Sequence, residues 1–396
     1  MRRPFQLPAV PLLLSRPSAI ALAGMAALML AMGIGRFAYT ALLPQMRDEG
    51  LLDVGSGGVL AAFNYLGYLA GALWAAFSRR ADAPRRLIAG LLASAMTTLA
   101  MGHELGYPVW CGVRFMSGVA SAAVYVYSTG IVLRSLAARG AAGWSGLHYT
   151  GVGVGIIVSA MLARAMTSGG GASEGWRWLG MVAALAAVGV AAVLLPAARE
   201  EAPPANDGSA LVSGGPPMGW LTAAYGLAGF GYIINATFLP LMLRDQAGTA
   251  SAALDGWLMV GLAAVPATAF WVRLSFRWGV YQALISATLL QAIGVALPVL
   301  VDGMGAAMVG AGLLGATFMG IAGLSQWLAR VPDARATARR IGLITACYGL
   351  GQVLGPLLVA IRGPAGGFAL PVMMASAALL CSALFLELSR RRERLA

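Results

Sequence analysis

The stretch GIGRFAYTALLPQM, residues 33–46, is echoed by GFGYIINATFLPLM, residues 229–242, at a constant interval of 196 positions. Gly33 pairs with Gly229, Gly35 with Gly231, Leu43 with Leu239, Pro44 with Pro240 and Met46 with Met242. The same interval pairs Arg134 with Arg330, and a slip of two residues then pairs Gly151 with Gly349, Gly153 with Gly351 and Arg164 with Arg362. A single match carries little weight in a chain with 53 glycines, but the collinear order of these pairs points to an internal duplication.

Composition says what is duplicated. The 396 residues are 59% apolar and 11% charged, too little polarity to cover a water-exposed surface. The charges fall in short clusters, and the apolar runs between them are each about 20 residues, enough to cross roughly 30 Å of hydrocarbon at 1.5 Å per residue. Twelve spans are expected, at 18–43, 56–78, 87–105, 108–133, 142–165 and 177–196 in the first half. The second half gives 218–243, 254–275, 279–299, 304–329, 339–361 and 367–389. Backbone groups at that depth must be satisfied within the segment, so an all-α polytopic membrane protein is expected. A porin-type barrel would show apolar and polar residues alternating with period two, which these runs do not.

The net charge of +12 invites a nucleic-acid reading. Topology accounts for it better. All 27 basic residues are Arg, and on these spans 20 lie on the side that carries the N-terminus, five lie on the opposite side, and Arg36 and Arg114 fall inside spans. Arg2, Arg3 and Arg16 precede the first span; Arg79, Arg80, Arg85 and Arg86 follow the second; Arg330, Arg335, Arg339 and Arg340 separate the tenth from the eleventh; Arg390, Arg391, Arg392 and Arg394 close the chain. Both termini are therefore expected in the cytoplasm, with no nucleic-acid partner. The first apolar run outlasts the h-region of a cleavable leader and is read as a retained span. Cys111, Cys347 and Cys381 each fall in a span without metal-ligand spacing, and read as small packing residues.

Residues 197–217, with Pro203, Pro204, Asn206, Asp207, Gly208, Gly214, Gly215, Pro216 and Pro217, have the composition of a flexible connection. The expected organisation is a cytoplasmic N-terminus over 1–17, a six-helix bundle over 18–196, a cytoplasmic loop over 197–217, a second bundle over 218–389 and a cytoplasmic tail over 390–396.

GIGRFAYTALLPQM in the first span and AAFNYLGYLAGAL in the second resemble the YbfB/YjiJ-type group of bacterial major facilitator transporters. The resemblance implies the major facilitator fold, two pseudo-symmetric six-helix bundles with cargo handled near their interface, in the bacterial inner membrane, and it names no cargo. Arg114-Phe115-Met116-Ser117-Gly118 resembles the fourth-helix motif of proton-coupled members, with Ser117 where Gln is common. Gly71, Arg79 and Arg80 resemble the hinge loop after the second helix, without its acidic residue. The fifth-helix GxxxGP pattern of drug–proton exchangers is missing after Gly151, Gly153 and Gly155; a similar Gly351-x-x-x-Gly355-Pro356 stands in the eleventh span.

Arg36 lies eight residues before Pro44, about 12 Å inward from the outer end of its span, and Arg114 lies six beyond Pro108, about 9 Å inward. A guanidinium stays charged, and at a helix centre it costs roughly 2.5–3.5 kcal/mol on insertion scales, so each is expected to face a cavity or a partner. The resemblance places both helices at the central cavity. With no carboxylate in the middle of any span, two such cations would favour an anionic cargo in a shared cavity of the outward half. The alternative is structural: capping carbonyls of a broken helix near Gly33 and Gly35, or bonding Tyr39 or Tyr65.

Asn64 and Tyr68 lie one turn apart, and Ser117, Ser121 and Tyr125 continue one face from Arg114. With Tyr39, Asn235, Gln326 and Gln352 they are candidates to line the pathway, each set against an interhelical hydrogen bond worth about 0.6 kcal/mol. His148, about four residues into the fifth span, is the candidate proton site, set against a packing histidine. Gly33, Gly35, Pro44, Gly71, Gly118, Gly229, Gly231 and Pro240 are candidate hinge or close-packing positions. Trp110, Trp144, Trp176, Trp178, Trp220, Trp257, Trp271 and Trp278 fall near span ends, as in an interface belt. The glycine pairs have no P-loop ending, and no cofactor or metal is expected.

The reading is a monomeric secondary carrier working by alternating access on a small solute, an organic anion for preference, with proton coupling left open. An exporter of amphipathic or cationic compounds is the alternative within the class, and a non-transporting membrane sensor the alternative outside it. Intramembrane enzyme chemistry has no HExxH, no Ser/His constellation and no paired carboxylates to work with.

Overall fold

The computed structural model describes residues 16–76, 82–166, 170–199, 218–331, 333–362 and 367–395. Residues 1–15, Arg79, Arg80 and most of the central connection expected at 197–217 lie outside the described residues. The helices are α1 Pro17–Asp48, α2 Val54–Ala76, α3 Ala83–Ala100, α4 Tyr107–Ala138, α5 Ser145–Met166 and α6 Ala172–Arg199. After the central connection come α7 Met218–Ala247, α8 Ala250–Trp278, α9 Val280–Leu300, α10 Met304–Leu328, α11 Ala334–Arg362 and α12 Ala369–Leu395.

Eleven helices among the described residues are long and apolar enough to cross a membrane. The exception is α3. It lies at Ala83–Ala100 rather than at the expected 87–105; Pro84 starts it and Arg85 and Arg86 occupy its first turn, leaving an 18-residue helix with a short apolar stretch. Most other helices outrun their expected ends, because hydropathy registers the apolar part and the helix continues into flanking polar residues. Thus α4, expected over 108–133, runs to Ala138.

α1 departs furthest from expectation. An α-helix over Pro17–Leu28 widens into a π-helix over Met29–Ile34 and resumes as α-helix at Ala38–Asp48. Gly35 N–H bonds the Leu30 carbonyl at 2.8 Å and Phe37 N–H the Met32 carbonyl at 3.0 Å, each five residues back. Such a widening frees carbonyls that an unbroken helix would satisfy, and the glycines at 33 and 35 permit the close approach it requires.

Packing repeats along the chain. α1 lies against α5 and α6, as α7 lies against α11 and α12; α2 packs on α4 and α8 on α10; α3 sits against α4 and α6, and α9 against α10 and α12. Each pairing recurs six helices later. The sequence halves meet where α2 packs on α11, α5 on α8 and α1 on α7. Large apolar side chains such as Met96, Leu185, Val188 and Ile361 are left on the outside, where lipid rather than water is the suitable solvent.

The tryptophans correct the expectation of a single interface belt. Trp144, Trp178 and Trp278 are exposed, but Trp110, Trp176, Trp257 and Trp271 are buried. Trp176 stacks on Tyr39 at 6.5 Å and Trp257 meets Phe37 edge-on at 6.2 Å, so these rings fill the space around the broken part of α1.

Candidate functional site

The break in α1 organises the centre of the molecule. Arg114 on α4 donates from Nη1 to the Gly35 carbonyl at 3.1 Å and from Nη2 to the Arg36 carbonyl at 3.3 Å, and Ser117, one turn on, donates to Gly35 at 2.8 Å. The Arg114 guanidinium lies 4.7 Å from the Tyr39 ring and 6.0 Å from that of Trp176, and the residue is 1% exposed. It is therefore committed to freed backbone acceptors and enclosed by aromatic faces, the structural alternative weighed from the sequence.

Arg36 has different company. Its Nη2 donates to Gln352 Oε1 on α11 at 2.8 Å, and its guanidinium lies 4.3 Å from the Tyr68 ring, 4.8 Å from Tyr65 and 5.3 Å from Phe37. It is 2% exposed, and its Nε has no partner among the described residues. Gln352 passes the link on by a short hydrogen bond from Nε2 to the Tyr232 hydroxyl. The two guanidinium groups thus take different partners, Arg114 within the first half and Arg36 across to α11. Matched depth says nothing of azimuth, and Arg36, two residues beyond the π-segment, reaches a residue of the second half of the chain.

The cavities of interest lie at the end that carries Arg16, Arg86 and Arg139. One of about 270 Å³ is bounded by Tyr125, Tyr149, Thr268, Gln326, Trp327 and Arg330, and one of about 250 Å³ by Tyr68, Tyr125, Gln326, Ile341 and Thr345. They share Tyr125 and Gln326 and draw on both sequence halves. No carboxylate is among the described residues that line either lobe. Tyr68 is at once a wall of the second lobe and the cover over Arg36.

The opposite end is tied across the halves by ion pairs, beside a pocket of about 450 Å³ bounded by Arg47, Asp53, Asp245 and Phe368. Among the described residues, Arg244 bonds Asp48 at 2.9 and 3.0 Å, Arg47 bonds Asp245 at 2.7 Å, and Arg164 makes a short ion pair with Asp255. Closer to the centre, Thr40 donates to the Ala236 carbonyl at 2.8 Å and the Tyr65 and Thr237 hydroxyls meet at 2.8 Å.

Of the remaining candidates, Tyr68, Tyr125 and Gln326 border the lobes. Asn64 and Asn235 tie helices instead: Asn64 Nδ2 donates to the Arg114 carbonyl and Asn235 Nδ2 to the Val295 carbonyl, each at 3.0 Å. Ser121 bonds back to the Ser117 carbonyl at 2.7 Å, and Tyr39 donates to the Gly57 carbonyl at 2.7 Å. His148 is buried between α1, α4 and α5, bonded through Nε2 to Thr129 at 2.9 Å, its ring so close to Gly24 that a Cβ there would come within 2.6 Å of Nδ1.

The flagged glycines and prolines occupy close crossings. A Cβ on Gly118 would stand 2.0 Å from the Asn64 carbonyl oxygen, and one on Gly71 2.8 Å from the Val119 backbone, where α2 and α4 cross. Gly33 abuts the backbone of Gly155 on α5, and its counterpart Gly229 abuts that of Tyr348 on α11. Gly35 lies beside Ser94 and Gly231 beside Leu379. Pro44 and Pro240 are both buried inside helices.

Two features escaped the sequence reading. The aromatic residues Tyr149, Tyr225, Tyr232, Phe318 and Tyr348 carry no motif. Asp48 and Arg244 had a signal, since the interval of 196 that pairs Pro44 with Pro240 also pairs these two.

The fold is shared with solved transporters. Over 95% of this chain and 99% of the other, it is similar to a point-mutant form of the nucleoside transporter NupG, with a TM-score of 0.66 at 14% identity. It is also similar to a bacterial homologue of the human lysosomal transporter Spinster in an inward-facing and occupied conformation, with a TM-score of 0.63 at 16% identity over 94% and 97% of the two chains. No curated protein matches the sequence. The family model described as uncharacterised MFS-type transporter YbfB matches residues 28–387. That match covers nearly the whole helical array just described, and the chain belongs to this family of multi-pass membrane transporters.

Proposed function

We propose that the protein is a secondary carrier of a small organic anion that works by alternating access. The observation that supports it best is the electropositive, carboxylate-free cavity shared by both sequence halves, with Arg330 on its wall and Arg36 behind Tyr68. In this reading α3 is a twelfth span, and residues 18–196 and 218–389 are two pseudo-symmetric six-helix bundles joined by a cytoplasmic connection at 197–217. The arginine bias places both termini, 1–17 and 390–396, in the cytoplasm of a bacterial inner membrane, which makes this state open inward and closed outward by the three ion pairs. Arg36 and Gln352 then join the halves at the head of the cavity, with Tyr68, Tyr125 and Gln326 along the path. Arg114, Asn64, Asn235, Tyr39 and Ser121 hold the helices that shape it, and Gly33, Gly35, Gly71, Gly118, Gly229, Gly231, Pro44 and Pro240 let them pack and slide. His148, enclosed by Thr129 and Gly24 with its ring 5.0 Å from that of Tyr149, has a packing role. The carrier acts as a monomer. A cationic cargo is disfavoured, since no described lining residue would neutralise it.

A ligand that binds only the folded state stabilises it by RT ln(1 + [L]/Kd), about 2.7 kcal/mol at 100 times Kd. A thermal-shift screen of small organic anions, cations and neutral solutes on the purified protein should therefore single out anions. A cation-selective response would refute the proposal.

A further inference from the structure

The second half of the chain brings a run of near-parallel, mostly buried rings beside the Arg36–Gln352 link, which Tyr68 separates from the second lobe. Tyr225 stacks on Tyr348 with centroids 4.2 Å apart and planes at 19°, Tyr348 on Tyr232 at 5.6 Å and 15°, and Tyr232 on Phe318 at 6.0 Å and 4°. From the first half, Tyr65 and Tyr68 present their faces to the Arg36 guanidinium at 4.8 and 4.3 Å. Where the two sets meet, the Arg36 Nη2 is held by the neutral carboxamide oxygen of Gln352 at 2.8 Å, and that same carboxamide bonds Tyr232.

We infer that the cargo is an aromatic monocarboxylate, its carboxylate taking the place of the Gln352 oxygen on Arg36 and its ring lying against the tyrosine faces. The inference rests on the anion reading above and narrows it. Three observations carry it. A buried guanidinium with no carboxylate partner among the described residues and an unpartnered Nε has donor capacity to spare, and a charged acceptor makes a stronger bond to it than a carboxamide does. Both guanidinium groups leave Nε unpartnered, but both terminal nitrogens of Arg114 are spent on the Gly35 and Arg36 carbonyls whereas Arg36 is held by a neutral carboxamide. One cargo carboxylate can therefore displace Gln352 without stranding a backbone group, and a second could not be met at Arg114 without doing so. The wall chemistry is ring faces and aliphatic carbon, with Gln326, Thr268 and Thr345 the uncharged polar groups beside the tyrosine hydroxyls. A polyhydroxylated cargo would leave hydroxyls unmatched there, while a flat ring gains the offset stacking that aromatic pairs favour.

The inference also gives Gln352 a task. Because the Arg36–Gln352 bond joins α1 to α11, a carboxylate that displaces Gln352 loosens a tie between the halves as it binds, which couples occupancy to rocking.

The test is binding of four probes by the purified wild-type protein, measured by calorimetry: benzoate, cyclohexanecarboxylate, terephthalate and benzamide. Benzoate should bind about 2- to 10-fold more tightly than cyclohexanecarboxylate, which has the same charge and a similar size but no π face. Terephthalate and benzamide should each bind more weakly than benzoate, and Tyr232→Leu should narrow the benzoate-to-cyclohexanecarboxylate ratio. Equal or tighter binding of cyclohexanecarboxylate, or of terephthalate, overturns the aromatic monocarboxylate while leaving an anion carrier standing. Benzamide binding as well as benzoate removes the anion reading itself, and no binding of either monocarboxylate up to about 10 mM overturns both. The comparison is made on the wild type, so it does not depend on a variant folding.

Discussion

Asp48 and Arg244 stand 196 positions apart, the interval that aligns the two halves of the sequence, and they meet as an ion pair at 2.9 Å. Thr40 and Ala236, at the same interval, also meet, through a hydrogen bond of 2.8 Å. Both contacts join a residue to the one at its own aligned position in the other half of the sequence. Beside Asp48 and Arg244, Arg47 pairs with Asp245 at 2.7 Å, so two adjacent residues on each half grip the opposite two reciprocally.

These half-exposed pairs should weight the closed state of that end. Exposed pairs contribute roughly 0.2–1 kcal/mol each, so removing both with Asp48→Asn and Asp245→Asn should shift a two-state equilibrium about 2- to 30-fold toward opening. Spin labels at Leu51 and Ser251 would read this as a growing long-distance population. The charge swap Asp48→Arg with Arg244→Asp should reverse the shift seen on losing that pair. An unchanged distance distribution in the double neutral variant would show that the pairs lock nothing.

Arg114 and Arg36 should separate cleanly in a stability measurement. Arg114→Gln strands the carbonyls of Gly35 and Arg36 in the break of α1, and an unsatisfied buried polar group costs about 1–3 kcal/mol. Arg36→Gln removes one link to Gln352 and strands no backbone group. Thermal unfolding of the two variants should place Arg114→Gln well below Arg36→Gln; the reverse order would exchange their roles.

The glycine contacts predict a graded series. Gly118→Ala puts a methyl 2.0 Å from the Asn64 carbonyl oxygen and Gly33→Ala puts one 2.2 Å from Gly155 Cα, whereas Gly112→Ala meets nothing within 4 Å. The first two should cost about 1–3 kcal/mol of overpacking, seen as lower folded yield in detergent. Gly112→Ala should be neutral or slightly stabilising, since Ala is the better helix former. Equal loss in all three would mean that these crossings are looser than the described backbone.

The sequence was enough to place the helices and the internal repeat, because hydrophobic length and collinear glycines are one-dimensional signals. It was not enough to orient Arg36. Depth along a helix follows from counting residues, but the direction of a side chain just past the π-segment at Met29–Ile34 does not, and π-helix formation has no pattern in a run as uniformly apolar as MLAMGI. The tyrosine run was illegible for a related reason. Tyr225, Tyr232, Phe318 and Tyr348 come from three helices, and only tertiary packing puts their planes in parallel. α3 fell short of the expected span because Arg85 and Arg86 sit in its first turn.

At the start of α2, Asp53 and Ser56 cap each other: the carboxylate accepts from Ser56 N–H at 2.6 Å, and Ser56 Oγ accepts from Asp53 N–H at 2.9 Å. These bonds from Ser56 hold the Asp53 carboxyl below its ordinary pKa. A depressed carboxylate contributes stability that is present above the unfolded-state pKa and lost as pH falls through the folded-state value. Solvent exposure keeps this under about 1 kcal/mol. Asp53→Asn should flatten the acid limb of the stability profile below about pH 4 and leave the neutral region nearly unchanged; an unaltered acid limb would dismiss the cap.

Anion carriage around Arg36 is tested most directly by counterflow in proteoliposomes. Vesicles carrying the wild-type protein and preloaded with unlabelled benzoate should transiently accumulate external labelled benzoate above its equilibrium level. Vesicles with Arg36→Gln, at equal folded and inserted protein, should not. Accumulation that is the same with Arg36→Gln, or counterflow of a labelled organic cation in place of the anion, would contradict an anion carrier built around Arg36.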